Sequence, residues 1–126
     1  MSKQNLYLGK TGEDLAVGFL RESGYKIIAR NYKTRLGEID IVAREKGVVC
    51  FVEVKTRSSD RFGLPQEAVL RSKQRQISKA ALEFLKNNDL LGQSARFDVV
   101  SVVLAAEGQK IDLIRNAFEL DRSFTY

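Results

Sequence analysis

Two carboxylates and a lysine in the first half of the chain have the types and spacing that metal-assisted phosphate chemistry requires. Asp40 lies in the apolar segment GEIDIVA, and Glu53 and Lys55 lie in the next one, VVCFVEVK. Carboxylate oxygens are the ligands that Mg²⁺ and Mn²⁺ prefer. An ammonium two residues after Glu53 can orient a water molecule or offset negative charge on a phosphate. These three residues therefore predict a divalent-metal site for phosphodiester hydrolysis.

The composition excludes several other kinds of chemistry. The chain has no histidine and one cysteine, Cys50. Structural zinc sites use several such residues, and Ser–His or Cys–His catalysis needs a histidine. A single cysteine in an apolar segment forms no internal disulfide, which indicates a reducing compartment and predicts a cytoplasmic protein. No apolar run approaches the roughly 18 residues of a membrane span, and the N-terminus lacks the apolar core of a signal peptide, so no membrane association is expected.

The two apolar segments are predicted to be neighbouring β-strands, over residues 37–43 and 48–55. In a regular strand, Glu38, Asp40 and Val42 share one face, and Ile39, Ile41 and Ala43 share the other. A two-residue loop at Lys46–Gly47 would place Asp40 directly opposite Glu53, with Cβ atoms roughly 5 Å apart. A four-residue loop would leave the two carboxylates diagonal, roughly 7 Å apart. Both registers keep them on one face.

A third acid, Glu13, is predicted to lie on a helix over residues 11–23. Thr11 and Asp14 resemble a capping box, and Gly24 suits the position just after the helix. Glu13 falls at the edge of the apolar face, so its carboxylate can point toward the sheet. The alternative is a first-turn acid that favours the helix dipole.

The remaining pattern predicts one α/β domain over residues 1–126. A strand is expected over residues 25–32, a loop with a short helical turn over 56–70, a helix over 72–86, a strand over 95–104, a turn at 107–109 and a strand over 110–118. The order α-β-β-β-α-β-β is typical of a mixed central sheet flanked by helices.

The net charge of +5 is unevenly distributed along the chain. Residues 36–54 hold four acids and two bases, whereas residues 1–35 and 55–80 each hold seven bases against three and two acids. An acidic segment between two basic ones suits a phosphate-binding metal site, because the bases attract a polyanion. The alternatives are solvated surface charge and, for the acidic pair, an outward-facing hairpin with salt bridges such as Glu38–Lys55.

An ordered series of motifs resembles the YraN-type family of bacterial proteins, which is similar to Holliday-junction resolvases of the PD-(D/E)XK, restriction-endonuclease-like superfamily. The motifs are GKTGEDLA (9–16), RNY (30–32), GEID (37–40), FVEVKTR (51–57), GLPQEAV (63–69) with Lys73, RFDVV (96–100) and NAF (116–118). They span nearly the whole chain.

The resemblance implies a restriction-endonuclease-like core and roles for particular residues. It implies Asp40 and Glu53 as metal ligands for Mg²⁺ or Mn²⁺, with Lys55 as the catalytic lysine and Glu13 as a helix-borne acid that joins the metal site. The main-chain carbonyl of Val54 would also contribute. Ile39 stands where the superfamily motif has proline. Three basic residues, Arg57, Lys73 and Arg75, are expected to contact the nucleic-acid phosphates.

Three functional hypotheses follow. The first is a metal-dependent DNA endonuclease that acts on branched or structured DNA. The second is a nucleic-acid-binding protein of the same fold with little or no cleavage, and the third is a scaffold domain. Because a four-way junction needs two cuts, a homodimer is one possible assembly, with 99–104 or the C-terminal strand as candidate surfaces.

Overall fold

The computed structural model describes the backbone of residues 3–58 and 71–118, and the side chains from Lys10 onward. Within these residues, two helices and five strands follow the predicted order: α1 (Lys3–Glu22), β1 (Lys26–Thr34), β2 (Gly37–Glu45), β3 (Val48–Arg57), α2 (Arg71–Asn87), β4 (Ala95–Ala105) and β5 (Gly108–Phe118). The expected helical turn near residue 70 lies outside the described residues. The last turn spans 106–107, so β5 begins earlier than predicted.

The five strands form one mixed sheet in the order β1-β2-β3-β4-β5. All neighbouring pairs are antiparallel except β3 and β4, which are parallel and are connected through the segment that contains α2. The predicted mixed sheet with flanking helices is confirmed, and its order is consistent with a restriction-endonuclease-like core.

Helix α1 covers one face of the sheet and begins eight residues before the predicted start at Thr11. The proposed capping box is therefore wrong, because Thr11 and Asp14 lie inside the helix. Residues 3–10 include lysine, glutamine and leucine, whose helix propensity offsets that of Gly9. Gly24 follows the helix with a φ of 96°, as predicted. The α1 side of the core contains Ala16, Val17, Leu20, Tyr25, Ile41, Ala43, Cys50, Val52, Val100 and Val102.

Gly12 lets α1 approach β3 closely. A Cβ built at this position would lie 1.9 Å from Oγ1 of Thr56. No larger residue fits there unless the helix or Thr56 moves. The contact fixes the helix against the strand one residue before Glu13.

Helix α2 covers the opposite face. Its buried residues pack with a second core cluster that includes Ile39, Val42, Val49, Phe51, Ile77, Ala80, Ala81, Phe84, Leu85, Phe97 and Val99. A Cβ on Gly37 would lie 2.8 Å from the main-chain oxygen of Gln76. The beginning of β2 is therefore held directly against the first half of α2.

The alternation of faces along β2 breaks at Asp40. Ile41 packs on the α1 side as expected, but Ile39 packs on the α2 side, so the prediction that these two residues share a face is wrong. In the adjacent strand, Asn31 has a φ of 52° and lies between Arg30 and Tyr32, which pair with Ile41 and Ile39. The change of faces in β2 therefore lies next to a left-handed residue of the paired strand.

Strand β4 lies between β3 and β5 in the sheet interior. Val99, Val100 and Val102 are fully buried. Both edges of this strand are paired with neighbouring strands, and the use of residues 99–104 as a dimer surface stays a prediction. Strand β5 lies at a sheet edge. Within the described part of the chain, neither helix is long and apolar enough to span a membrane.

Candidate active site

The predicted acidic residues lie where β2 and β3 separate. The two strands pair from the turn as far as Ile41 opposite Val52. Beyond that point, Glu53 and the rest of β3 pair with β4, while β2 continues to pair with β1. Asp40 and Glu53 are the first residues past the last pair, so their side chains meet at the fork between β2 and β3.

The register of this hairpin is set by a two-residue turn at Lys46–Gly47. Glu45 pairs with Val48, and the turn residues have φ values of 50° and 80°, as in a type I′ turn. Continuing the register places Asp40 opposite Glu53. The two-residue alternative is confirmed, and the four-residue loop is wrong.

Asp40 is held in place by the backbone of the neighbouring strand. The N–H of Val54 donates a hydrogen bond of 2.8 Å to Oδ2 of Asp40. The carboxylate thus bridges the fork where main-chain pairing has ended. Burial raises the pKa of Asp40, although the hydrogen bonds from Val54 and Glu53 oppose this rise.

Glu53 is 7% exposed and lies beside Asp40. Burial, followed by the charge of Asp40, raises the pKa of Glu53 to about 7. The protonated Glu53 carboxyl donates a hydrogen bond to Asp40, which removes the repulsion between two adjacent anions. Nζ of Lys55 lies 3.8 Å from Oε1 of Glu53. An outward-facing hairpin is therefore the wrong interpretation of Glu53.

Glu13 faces this pair from α1, in the middle of the helix rather than its first turn. Its Oε1 atom is buried and has no hydrogen-bond partner among the described residues. Burial, and next the charge of Asp40, raises the pKa of Glu13. The interpretation of Glu13 as a first-turn dipole acid is thus wrong. Among the residues that the structure describes, no three Asp, Glu, His or Cys side chains are close enough to form a metal cluster.

Lys73 reaches the same site from the first turn of α2. The positive charge of Lys73 lowers the pKa of both Asp40 and Glu53, although burial raises both by more. For Glu53, the effect of Lys73 is larger than that of Lys55. Sequence reasoning grouped Lys73 with the phosphate-contacting residues. One feature of the sequence indicates that Lys73 lies near the carboxylate pair. Lys73 is one helical turn before Ile77, and Ile77 packs in the same cluster as Ile39.

The other two predicted nucleic-acid contacts lie on neighbouring elements. Arg75 is exposed on α2, and Arg57 is partly buried at the end of β3. Their positions at the ends of these two elements do not decide whether a phosphate reaches them. Both remain predictions for phosphate binding.

Glu45, the other acid buried in this hairpin, belongs to a separate polar network. It accepts hydrogen bonds from Arg96 and from both Nε and Nη2 of Arg115. Arg96 also binds Asp98, which accepts a hydrogen bond of 2.7 Å from Tyr25. The hydrogen bonds from Arg115, with further ones from Arg96, lower the pKa of Glu45 to about 2. Its charge is neutralised there, and the network joins β2, β4 and β5 to Tyr25, which lies just before β1, away from the fork.

The stretch of sequence that builds this site matches a known protein family. The sequence model of the uncharacterised protein family UPF0102 matches residues 12–102. The chain belongs to this family. The matched region of this UPF0102 chain contains the fork, helix α2 with Lys73, and α1 from Gly12 onward.

Whole-chain relatives show the same relationship. A UPF0102 protein of Syntrophus aciditrophicus is 53% identical over 117 residues, covering 93% of this chain and 92% of the relative. One from Geobacter metallireducens is 52% identical over 120 residues, covering 95% and 98%. One from Persephonella marina is 44% identical over 113 residues, covering 90% and 94%. The similarity therefore extends across nearly the full length of these proteins.

Proposed function

We propose that this UPF0102 chain is a metal-dependent endonuclease that hydrolyses DNA phosphodiester bonds, with branched or structured DNA as its substrate class. The observation that carries the proposal is the pair of carboxyls at the fork, with buried Glu53 beside half-buried Asp40 and with Lys55 next to Glu53. Two adjacent buried carboxyls are costly to ionise unless a cation lies between them. A purely structural hairpin gains nothing from this arrangement.

The residues at the fork suit Mg²⁺ or Mn²⁺. Asp40 and Glu53 would hold the ion, and the oxygen donors match the preference of hard divalent cations. Glu13 supports this fit, because its buried Oε1 lacks a hydrogen-bond partner among the described residues and faces the same pair. When bound, such an ion supplies an activated water and stabilises negative charge on a phosphate.

The side chains around the pair supply the other requirements of phosphodiester hydrolysis. The ammonium of Lys55, held 3.8 Å from Glu53, stabilises the charge that develops on the reacting phosphate or orients the attacking water. Lys73, on helix α2, adds a second positive charge near Glu53. Arg57 and Arg75 extend the positive surface that attracts the DNA backbone.

The arrangement also supports membership of the PD-(D/E)XK superfamily. An acid on the helix, an acid on one strand and an E-x-K sequence on the next follow in that order along the chain. The two strand acids lie side by side, and Glu13 lies near Asp40. This order agrees with the resemblance found in the sequence. Because one fold can carry several activities, the proposal is based on the side chains at the fork rather than on the fold.

Cleavage assays with single substitutions test the proposal. We expect the wild type to cut flap or four-way DNA in the presence of Mn²⁺ or Mg²⁺ and to be inactive in EDTA. Asp40→Ala, Glu53→Gln and Lys55→Ala should each reduce cleavage at least 100-fold, because each removes a group required at the reacting phosphate. Asp40→Ala and Glu53→Gln each remove a carboxylate, so these two variants should bind DNA as tightly as the wild type or more tightly.

Glu107→Gln and Lys46→Asn are matched controls, since both residues are exposed in turns away from the fork and asparagine tolerates the positive φ of Lys46. They should retain wild-type cleavage. If all three fork variants still cut DNA, the catalytic assignment is wrong. If the wild type binds DNA in a salt-dependent manner but never cuts it, the chain is a binding protein of this fold.

A further inference from the structure

A groove separate from the carboxylate pair lies between α2 and the turn that joins β1 to β2. Its volume is about 350 Å³, which is within the range of roughly 300–1,000 Å³ typical of small-ligand pockets. The turn contributes Arg35 and Leu36, and α2 contributes Lys79, Leu82, Glu83, Lys86 and Asn87. None of these residues has a role in the chemistry at the fork.

The lining of this groove combines an apolar floor with a positive rim. Leu36 is 42% exposed, and Leu82 is buried beside it. Three basic side chains and one carboxylate line the groove, so its net charge favours an anion. A ligand that is both flat and apolar in one part and negatively charged in another matches this lining.

Glu83 narrows the choice of ligand. Its Oε2 atom is buried and has no hydrogen-bond partner among the described residues. A buried acceptor without a donor destabilises the protein, so a ligand N–H that reaches it gains binding energy. The exocyclic amine of cytosine is a donor that carboxylates accept from in protein–DNA complexes, and adenine carries a similar amine.

The groove is connected to the fork through two rigid elements. Leu36 lies in the turn just before β2 and four residues before Asp40. This separation corresponds to about 13 Å along a strand. Lys79 is six residues after Lys73 on α2, or about 9 Å along a helix. A single DNA strand that passes the carboxylate pair can therefore also reach the groove.

We propose that this groove binds one unpaired nucleotide of the strand held at the fork, an inference that rests on the proposed action on nucleic acid. The base lies against Leu36 and Leu82, its exocyclic amine donates a hydrogen bond to Glu83, and its phosphate lies near Arg35. The nucleotide must be unpaired, because a base stacked inside a duplex cannot lie against Leu36 and Leu82. Branched and flap DNA supply such nucleotides at their junctions.

Equilibrium binding to flap DNA with different single-stranded arms tests this assignment. The full-length Asp40→Ala variant is used in EDTA so that cleavage does not consume the DNA, and affinity is measured by fluorescence anisotropy. Arms of dC or dA should bind about tenfold more tightly than an arm of abasic sites. An arm of dT, whose base lacks an exocyclic amine, should fall between them.

Substitutions in the groove separate the contributions of base and backbone. Glu83→Gln should reduce the preference for dC over dT to less than about twofold, because an amide both donates and accepts hydrogen bonds. Leu36→Ser should weaken binding of the dC and dA arms about fivefold and leave the abasic arm unchanged. Leu91→Ser and Glu107→Gln are the matched controls. Leu91 is a similarly exposed leucine, at 44%, outside the groove.

The outcomes distinguish this inference from the proposed function. Equal affinity for all four arms, with no effect of Glu83→Gln or Leu36→Ser, overturns the nucleotide-binding assignment. In that case, wild-type cleavage of the same flap DNA in Mn²⁺ leaves the endonuclease proposal standing. If the wild type neither binds nor cuts any of the four DNAs, both assignments are wrong.

Discussion

Glu53 retains a proton up to a pKa of about 7 because it is buried beside Asp40. An exposed glutamate, like one in the unfolded chain, loses its proton near pH 4.5. In the metal-free protein, folding is therefore favoured by a neutral Glu53 below pH 4.5. This contribution is lost as the pH rises from 4.5 through 7, where the folded carboxyl must ionise next to another anion.

Replacing Glu53 with glutamine should stabilise the metal-free protein only at high pH. At pH 8 in EDTA, we expect Glu53→Gln to raise the free energy of unfolding by about 2–3 kcal/mol, since each pKa unit corresponds to about 1.4 kcal/mol. At pH 4.5 the effect should be small. Denaturant unfolding at both pH values measures the difference. Glu107→Gln should show none, and an equal effect of Glu53→Gln at the two pH values would contradict the elevated pKa.

Sequence alternation was sufficient to predict that Asp40, Glu53 and Lys55 meet, because a strand's side chains repeat every two residues. It could not place Ile39, whose side chain lies on the α2 face because the alternation of faces breaks at Asp40. It also could not place Lys73 beside the carboxylates. That proximity depends on how closely α2 packs on β2, and the apolar pattern of a helix does not specify this distance.

At the scale of elements, the contact between Gly12 and Thr56 determines how far α1 stands from β3. The same helix carries Glu13 toward the fork, so a displaced helix would also displace this carboxylate. Gly18, six residues further along, would have open space within 4 Å of an added Cβ, so no tight contact constrains it. The two glycines therefore provide a comparison within one helix.

Gly12→Ala and Gly18→Ala should change stability in opposite directions. We expect Gly12→Ala to lower the free energy of unfolding by about 1–3 kcal/mol, because the added methyl group overlaps Thr56. Gly18→Ala should raise it by about 0.5–1 kcal/mol, because alanine loses less conformational entropy in a helix. Thermal and urea unfolding measure both. A stabilised Gly12→Ala variant would show that α1 is not held against β3 in this way.

Element type and order were predictable because the strands are apolar, regularly alternating and separated by turn residues. The start of α1 was not, because Thr11 and Asp14 imitate a capping box within a segment that has sufficient helix propensity to continue. The central position of β4 in the sheet also could not be predicted from the alternation of apolar and polar residues. Its continuous run of valines is typical of a strand buried on both faces, as in parallel pairs.

At the scale of the whole molecule, part of the negative charge is internal, because Glu45, Glu53 and Asp98 are buried, while the net charge is +5. Asp40 and Glu53 share a proton, and Glu45 is neutralised by Arg96 and Arg115. The acidic segment of the sequence therefore contributes less negative surface than its composition suggests. A polyanion approaching the fork meets basic residues on both helical and strand elements.

DNA binding should therefore weaken steeply as salt concentration rises, because counterions are released from the phosphates. Lys73→Gln should reduce the slope of log affinity against log salt by about 1 if this lysine contacts a phosphate. Lys46→Asn is the control, since Lys46 lies in the distant turn and asparagine tolerates its positive φ. Anisotropy titrations from 50 to 300 mM salt measure the slopes. Equal slopes in wild type and both variants would exclude Lys73 from the phosphate contacts.

The exposed turn at Lys46–Gly47 determines the relative position of Asp40 and Glu53, although it lies at the other end of the hairpin. Loop tips usually tolerate insertions, because few contacts depend on their length. Here one added residue would shift the hairpin by one position and turn Asp40 and Glu53 to opposite sides of the sheet. The number of residues between the two acids is thus as strictly constrained as the acids themselves, and the constraint lies at the far end of the hairpin.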